Sequence, residues 1–176
     1  MQSDNPNVQL LPPDPARDAP FALSWFERAE GHATLLSMGN AEDEIEPSSI
    51  EGEEAIMQEF IDLEKEGKQI TRVIVVDQQT IGVVWIELFE NHNVQPPSIH
   101  IMIGNPDYRG KGIGKSAMQA AIDYVKNTLH LKTIYSRHLA NNTPVTHLNK
   151  SLGFEDDGLP YTDNNGLKWQ NIKMSL

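Results

Sequence analysis

Residues 101–118 read IMIGNPDYRGKGIGKSAM. An apolar run gives way to an Asn-Pro-Asp turn and then to glycines at 110, 112 and 114; from Ile113 onward, Ala117, Ala120, Ala121, Tyr124 and Val125 recur at helical spacing. The stretch predicts a strand, a glycine-rich loop and a helix in direct succession. That layout gathers the backbone amides of 109–114 and the positive end of the helix around one point, a nest suited to a pyrophosphate. Glycine admits the close backbone approach and the unusual dihedrals this needs. Arg109 and Lys115 add positive charge.

Three phosphate-binding patterns lie close to the loop. A Walker A loop, G-x-x-x-x-G-K-[ST], fails by counting: three residues separate Gly110 from Gly114 where four are needed, and position 109 is Arg. The dinucleotide fingerprint G-x-G-x-x-G/A fits Gly112, Gly114 and Ala117, but it calls for an acidic residue at the end of the next strand, and Thr128 to Pro144 contain no Asp or Glu. The third pattern, R-x-x-G-x-G/A, fits Arg109, Gly112 and Gly114 without a missing companion.

Working outward, SIHIMIG at 98–104 is the strand that enters the loop. Before it, QITRVIVVD and TIGVVWIELFE are rich in β-branched residues and flank a turn-like Asp-Gln-Gln, the signature of a hairpin. Ser48 and Glu51 have the spacing of a capping box, and Ile56, Met57, Phe60, Ile61 and Leu63 share one face, so 49–66 is an amphipathic helix with an acidic outer side and Gly67 as its stop. VQLLP at 8–12 is a short strand, and 16–29 a Pro-interrupted helical segment. After the loop helix come KTIYSRHL as a strand, TPVTHLNKSLG as a short helix and LKWQNIKMSL as the last strand. Hairpin strands first and one β-α-β crossover in the middle argue for an α+β fold, a mixed sheet flanked by helices.

The chain has 176 residues, 39% of them hydrophobic and 22% charged, enough for one core and too few for two ordinary domains. The expected organisation is a loose tail at 1–7 and a single domain over 8–176. No apolar run reaches the length of a membrane span and no signal-peptide pattern is present, so a cytoplasmic protein with no membrane partner is expected. The absence of cysteine excludes disulfides, thiolate metal sites and a cysteine nucleophile. The six histidines form no metal-binding pair such as H-E-x-x-H, and no metal is expected. The net charge of −11 is unevenly spread: residues 1–66 carry 16 acidic against 3 basic side chains, and 67–176 carry 9 against 11. This balance argues against nucleic acid. It either draws in a cationic partner or serves as a solvated acidic face.

IMIGNPDYRGKGIGKSAM, followed from Asn141 by NNTPVTHLNKSLGF, resembles the GCN5-related N-acetyltransferase (GNAT) superfamily. The first stretch is similar to its acetyl-CoA loop. The second is similar to its N-x-x-A-x-x-x-Y-x-x-x-G-F segment, with Asn142, Gly153 and Phe154 in place. The opening VQLLPPDPARDAPFALSWFE resembles the branch of ribosomal-protein, aminoglycoside 6′ and polyamine acetyltransferases. The resemblance implies a three-layer fold with a central mixed, largely antiparallel sheet of about seven strands and about four flanking helices. It also implies acetyl-CoA as cosubstrate, and a primary amine on a small cationic molecule or a protein N-terminus as acceptor. Members often form homodimers, though no stretch of this chain marks an interface.

By the same resemblance, the backbone of Met102, Ile103 and Gly104 holds the acetyl and pantetheine groups. Arg109, Gly110, Lys111, Gly112, Ile113, Gly114 and Lys115 hold the pyrophosphate, and Asn142 meets the pantetheine arm or ordered water. Asn142 also fits a helix N-cap. Seven residues on, where the family places a tyrosine acid, stands Asn149, whose amide cannot give a proton to a thiolate. Base candidates are Glu87, His100 and His138; Glu87 also reads as a solvated strand end and His100 as a packed strand residue, and a water chain with no single base is a further alternative. The reading is direct acetyl transfer, with a non-catalytic acyl-CoA-binding or sensing module on the same fold as the alternative.

Overall fold

The computed structural model describes residues 1–27, 29–45 and 47–176. In chain order the elements are β1 (Gln9–Leu11), α1 (Pro15–Phe26), α2 (Ala29–Ser37), α3 (Ile50–Lys65), β2 (Gln69–Val76), β3 (Gln79–Glu87), β4 (Ser98–Ile103), α4 (Ile113–Asn127), β5 (Thr133–Leu139), α5 (Thr143–Leu152), β6 (Glu155–Asp156), β7 (Tyr161–Thr162) and β8 (Lys168–Ser175). One mixed sheet runs β1-β2-β3-β4-β5-β8-β6, with β7 also on β8. Among the described residues only β4 and β5 pair in parallel. Eight strands and five α-helices among the described residues exceed the expected seven and four by one short strand at the C-terminal end and by α2. Gly31 lowers helix propensity in α2 and no capping signal announces it, so nothing in the sequence separates it from α1.

Alternation along the strands sorts side chains to two faces. Ile74, Ile86, Ile99 and Ile134 meet α4 through Ala117, Met118, Ala121 and Val125, all nearly or fully buried. On the other face Val73, Val75 and Val83 meet Ala22 and Trp25 of α1 and Met57 of α3. The hairpin turn places Asp77 and Gln78 at φ 50° and 65°, both in the left-handed region, as a two-residue turn matched to strand twist demands. Gly67, at φ 70°, ends α3 as expected, with Lys68 N–H donating to Leu63 O. The start of α3 differs by one residue from the predicted box: Ser49 is the N-cap, its hydroxyl accepting from Gly52 N–H, whereas Ser48 hydrogen-bonds the buried Glu53 carboxyl. Burial pushes that carboxyl up and the Ser48 bond pulls it down. Residues 1–7 form turns around Ser3 and Asn5, and Met1 packs against the α4-side core.

Asp18 ties the α1 entry to the sheet. Fully buried, its carboxylate accepts from Arg17 Nε and Nη2 and from Asp14 N–H, each at 2.8 Å, and from the Thr80 hydroxyl of β3 at 2.6 Å.

Candidate active site

The sheet opens between β4 and β5. Their ladder is confined to Ser98↔Tyr135, with the Ser136 hydroxyl donating to Ile99 O at 2.7 Å. From Ile101 to Ile103 the β5-facing edge of β4 has no ladder partner among the described residues. That bare edge forms one wall of a cavity of about 1000 Å³. The glycine loop and α4 N-terminus form a second wall, the start of α5 a third, and α2 a fourth.

Gly110 and Gly112 have φ of 71° and 77°, values that side chains with a Cβ rarely take. Gly112 is the N-cap of α4, and the first intrahelical bond there is Ser116 N–H to Gly112 O at 3.0 Å. The amides of Ile113, Gly114 and Lys115 precede it and lack intrahelical acceptors. The buried side chains of Ile113 and Ala117 anchor this end on the sheet. A Cβ on Gly112 would meet nothing within 4 Å, and one on Gly114 would occupy space 3.6 Å from Ile101 on the cavity wall. Open room over unpartnered amides, with Lys115 beside them, fits a pyrophosphate.

Of the donor-site residues expected from the sequence, Met102, Ile103, Arg109, Gly110, Gly112, Gly114, Lys115 and Asn142 line this cavity. Gly104, Lys111 and Ile113 are not on its wall. Gly104 is packed so closely on Trp25 that a Cβ would overlap the indole. The Lys111 ammonium sits 5.3 Å from the centre of the Tyr108 ring, and the Ile113 side chain is core. Arg109 also departs from the role of a phosphate ligand. Nε donates to Ile103 O at 2.9 Å, while Nη2 donates to Thr34 Oγ1 at 2.8 Å and Gly104 O at 3.3 Å. The side chain is a strut between the loop and α2. Burial lowers its pKa, partly opposed by Glu30. Asn142 works similarly: Oδ1 caps α5 by accepting from Val145 N–H at 3.3 Å, and Nδ2 donates to Ser37 O at 3.1 Å. Thr34 and Ser37 are the site residues that the sequence reading misses, since no local signal marks α2.

Thr34→Val should therefore loosen the loop while leaving the α4 amides in place. The expected result is a rise of about three- to tenfold in the KM for acetyl-CoA, the worth of one net hydrogen bond, recovered by Thr34→Ser. Steady-state kinetics with varied acetyl-CoA checks it.

A second cavity of about 240 Å³ shares Ser37, Met38, Ile101, Leu139, Asn142 and Val145 with the first. All three base candidates and Asn149 line it. Glu87 and His100 belong to one buried cluster. Ser98 Oγ stands 3.0 Å from His100 Nε2, Glu87 Oε2 is 3.6 Å from the same nitrogen, and His100 stacks on Trp85 with ring centres 5.2 Å apart. Trp85 Nε1 and Asn91 Nδ2 donate to Glu87 Oε1 at 3.2 and 3.4 Å. Burial raises the Glu87 pKa, but the His100 hydrogen bond and charge and the Trp85 and Asn91 donors outweigh it and bring it to about 2. Glu87 is thus a permanent carboxylate and a weak base. On the opposite side, His138 Nδ1 lies 3.4 Å from the Asn149 amide nitrogen, and burial lowers its pKa, with Asp156 opposing and Lys150 assisting.

Because the folded Glu87 binds its proton more weakly than the unfolded one, its contribution to stability is complete above about 4.5 and is lost as pH falls toward 2. Melting temperature followed through that window should fall more steeply for wild type than for Glu87→Gln.

A split mixed sheet, a parallel β-α-β crossover and an amide nest at the opening define the acyl-CoA-dependent N-acetyltransferase class of fold. This chain belongs to the GNAT family: the model of the acetyltransferase (GNAT) domain matches residues 7–155. It is 29% identical over 87 residues to spermidine N(1)-acetyltransferase of Vibrio cholerae, covering 49% of this chain and 50% of that one. It is 31% identical over 86 residues to the Escherichia coli enzyme of the same name, covering 49% and 45%. The chain thus spans about half the length of the curated relatives it matches. Among solved structures it is similar in fold to a ribosomal L7/L12 alpha-N-protein acetyltransferase in complex with coenzyme A (TM-score 0.80, 14% identity, 98% and 96% coverage). It is also similar to the Vibrio cholerae spermidine N-acetyltransferase in complex with coenzyme A and spermine (TM-score 0.72, 19%, 97% and 96%). No helix among the described residues is long and apolar enough to cross a membrane.

Proposed function

We propose that this protein is an acetyl-CoA-dependent N-acetyltransferase that passes the acetyl group directly to a primary amine. The observation that carries this is the meeting of two cavities: the bare β4 edge and the α4 amides open on the larger one, and the Glu87–His100 cluster opens on the smaller one that joins it. The α4 amides and Lys115 would hold the pyrophosphate, and the backbone of Met102 and Ile103 would hold the pantetheine arm and the thioester oxygen.

The acceptor nitrogen must lose a proton as its lone pair forms the bond to the thioester carbon; the carbon–sulfur bond then breaks with its electron pair going to sulfur, giving an amide and a thiolate that takes its proton from solvent. We assign the base to His100. With Nε2 directed at Ser98 and Glu87, Nδ1 is left to take the proton, directly or through a water, and Glu87 stabilises the imidazolium that results. Thiolate is a fair leaving group at neutral pH, so transfer proceeds without a tyrosine at position 149. Asn149 instead fixes the His138 ring at the junction. No cysteine exists to carry an acetyl-enzyme, which favours a ternary complex. The spermidine acetyltransferase relatives support an amine acceptor.

Calorimetry with acetyl-CoA and thiol release against a panel of amines test the reading. Binding plus amine-dependent thiol release is expected. Binding without release for any amine would leave the non-catalytic acyl-CoA module, and no binding would remove both.

A further inference from the structure

The charge on the walls of the smaller cavity differs from what the acidic first part of the chain suggests. Of the acidic residues before position 67, Glu30 alone lines either cavity among the described residues, and it lies on the donor side. The one carboxylate on the smaller cavity's wall, Glu87, is already engaged by His100, Trp85 and Asn91. The same cavity is also lined by a cation, Arg137.

Arg137 differs from the other arginines described. Arg17 pairs with Asp18 and Arg72 with Glu64, and Arg109 is bound by carbonyls and Thr34. Half-buried Arg137 forms no ion pair within 4.0 Å among the described residues; the Asp163 carboxylate feels its charge, but its oxygens are taken by Trp169 Nε1 and the amides of Asn165 and Leu167. Its side chain makes one hydrogen bond, from Nη1 to His92 O at 3.3 Å, and leaves most of its donors available. It is nonetheless held in place. The guanidinium carbon stands 3.8 Å from the centre of the Trp169 ring. Trp169 Nε1 donates to Asp163 Oδ2 at 2.7 Å, and Asp163 is fixed in turn by the amides of Asn165 and Leu167 at 2.9 Å. From the other side Gly39 lies so close that a Cβ would overlap the Trp169 ring. A guanidinium placed on an aromatic platform with its fork free is built to take a planar anion.

The two ends of this cavity are joined by adjacent residues. Asn91 touches Glu87 and His92 touches Arg137, so the base cluster and the guanidinium lie within reach of one small molecule, on the order of 10 Å apart. We propose that the acceptor carries a carboxylate a few bonds from its primary amine, and that Arg137 binds this carboxylate while His100 receives the amine. The inference rests on the acetyltransferase reading above and selects within it. A free amino acid or the N-terminus of an acidic peptide matches this wall; a polyamine would set a second cation against Arg137.

The test compares kcat/KM for alanine, alaninamide, aspartyl-alaninamide, alanyl-alaninamide and spermidine at saturating acetyl-CoA. At least one carboxylate-bearing acceptor should exceed its uncharged counterpart by about tenfold or more, the worth of a charge-assisted hydrogen bond. Alanine leading marks a small-molecule substrate, and the aspartyl peptide leading marks a protein N-terminus. Arg137→Gln should erase the preference by raising KM for the carboxylate acceptors alone, leaving the uncharged acceptors and the KM for acetyl-CoA unchanged; Arg137→Lys should restore part of it. Equal rates across each pair, spermidine leading the panel, or an Arg137→Gln loss shared by all acceptors would overturn the inference while leaving acetyl transfer intact. Acetyl-CoA binding without turnover of any amine would remove the acetyltransferase reading itself.

Discussion

Replacing Glu87 by Gln is expected to lower kcat/KM for the acceptor by about a hundredfold while leaving the KM for acetyl-CoA unchanged. The amide keeps the shape of the carboxylate but removes the fixed negative charge that, in the mechanism proposed above, stabilises the His100 imidazolium. It also replaces an oxygen facing Nε2 by a group that can turn a donor toward it. His100→Gln should cost a similar factor. The double variant should be little worse than either, because two residues acting as one unit lose their effect only once. Since the Glu87 carboxyl titrates at about 2, the wild-type pH profile should show no limb from it in the range where an ordinary glutamate would titrate. Additive losses would separate the two residues, and wild-type kinetics in Glu87→Gln would remove the pair from the mechanism.

Asp18→Ala is the substitution expected to cost most stability, about 3–5 kcal/mol. It strips partners from the Arg17 guanidinium, the Asp14 amide and the Thr80 hydroxyl at once. Two of those partners sit in the α1 entry and the third on β3, so the loss unpins helix from sheet as well as breaking bonds. Differential scanning calorimetry should show melting lowered by about 10 °C. Asp18→Asn should fall between, since it keeps an acceptor for Thr80 but not the charge facing Arg17. Acetyl-CoA affinity of the folded fraction should be unaltered, because Asp18 lies on neither cavity wall.

The strand, loop and helix across 98–127 were legible because local rules agree there: alternation in Ile99, Ile101 and Ile103, glycines where φ turns positive, and helical periodicity after Gly112. The base candidates were legible as residue types, and the structure brings Glu87 and His100 together through the β3–β4 register, Glu87 opposite Ser98 and Trp85 opposite His100. What the sequence could not show are pairings between distant positions. Arg109 looks like a phosphate ligand until Thr34, 75 residues earlier, receives its guanidinium. Asn142 caps its own helix, which the sequence suggests, and also holds Ser37, 105 residues away, which it does not. Arg137 gave no signal at all, because its meaning depends on Trp169 across the β5–β8 ladder and on the loop that turns Asp163 onto the indole nitrogen. Ser48 was misread as the cap because two serines stand in succession and only the backbone path at Ser49, with φ −130°, selects between them.

The single parallel pair at Ser98↔Tyr135 makes the sheet two half-sheets hinged on a short seam. A donor molecule held along Met102 and Ile103 as proposed would supply the hydrogen bonds that a continuous neighbouring strand would otherwise make, and so would become in effect a missing strand of the fold. Hydrogen exchange of the β5-facing amides within 101–103 should then be fast without acetyl-CoA and slow with it, and the protection should spread to 136–139 on the far lip. The protein would be sealed along its middle only while loaded, and its stiffness would report whether the next turnover can begin.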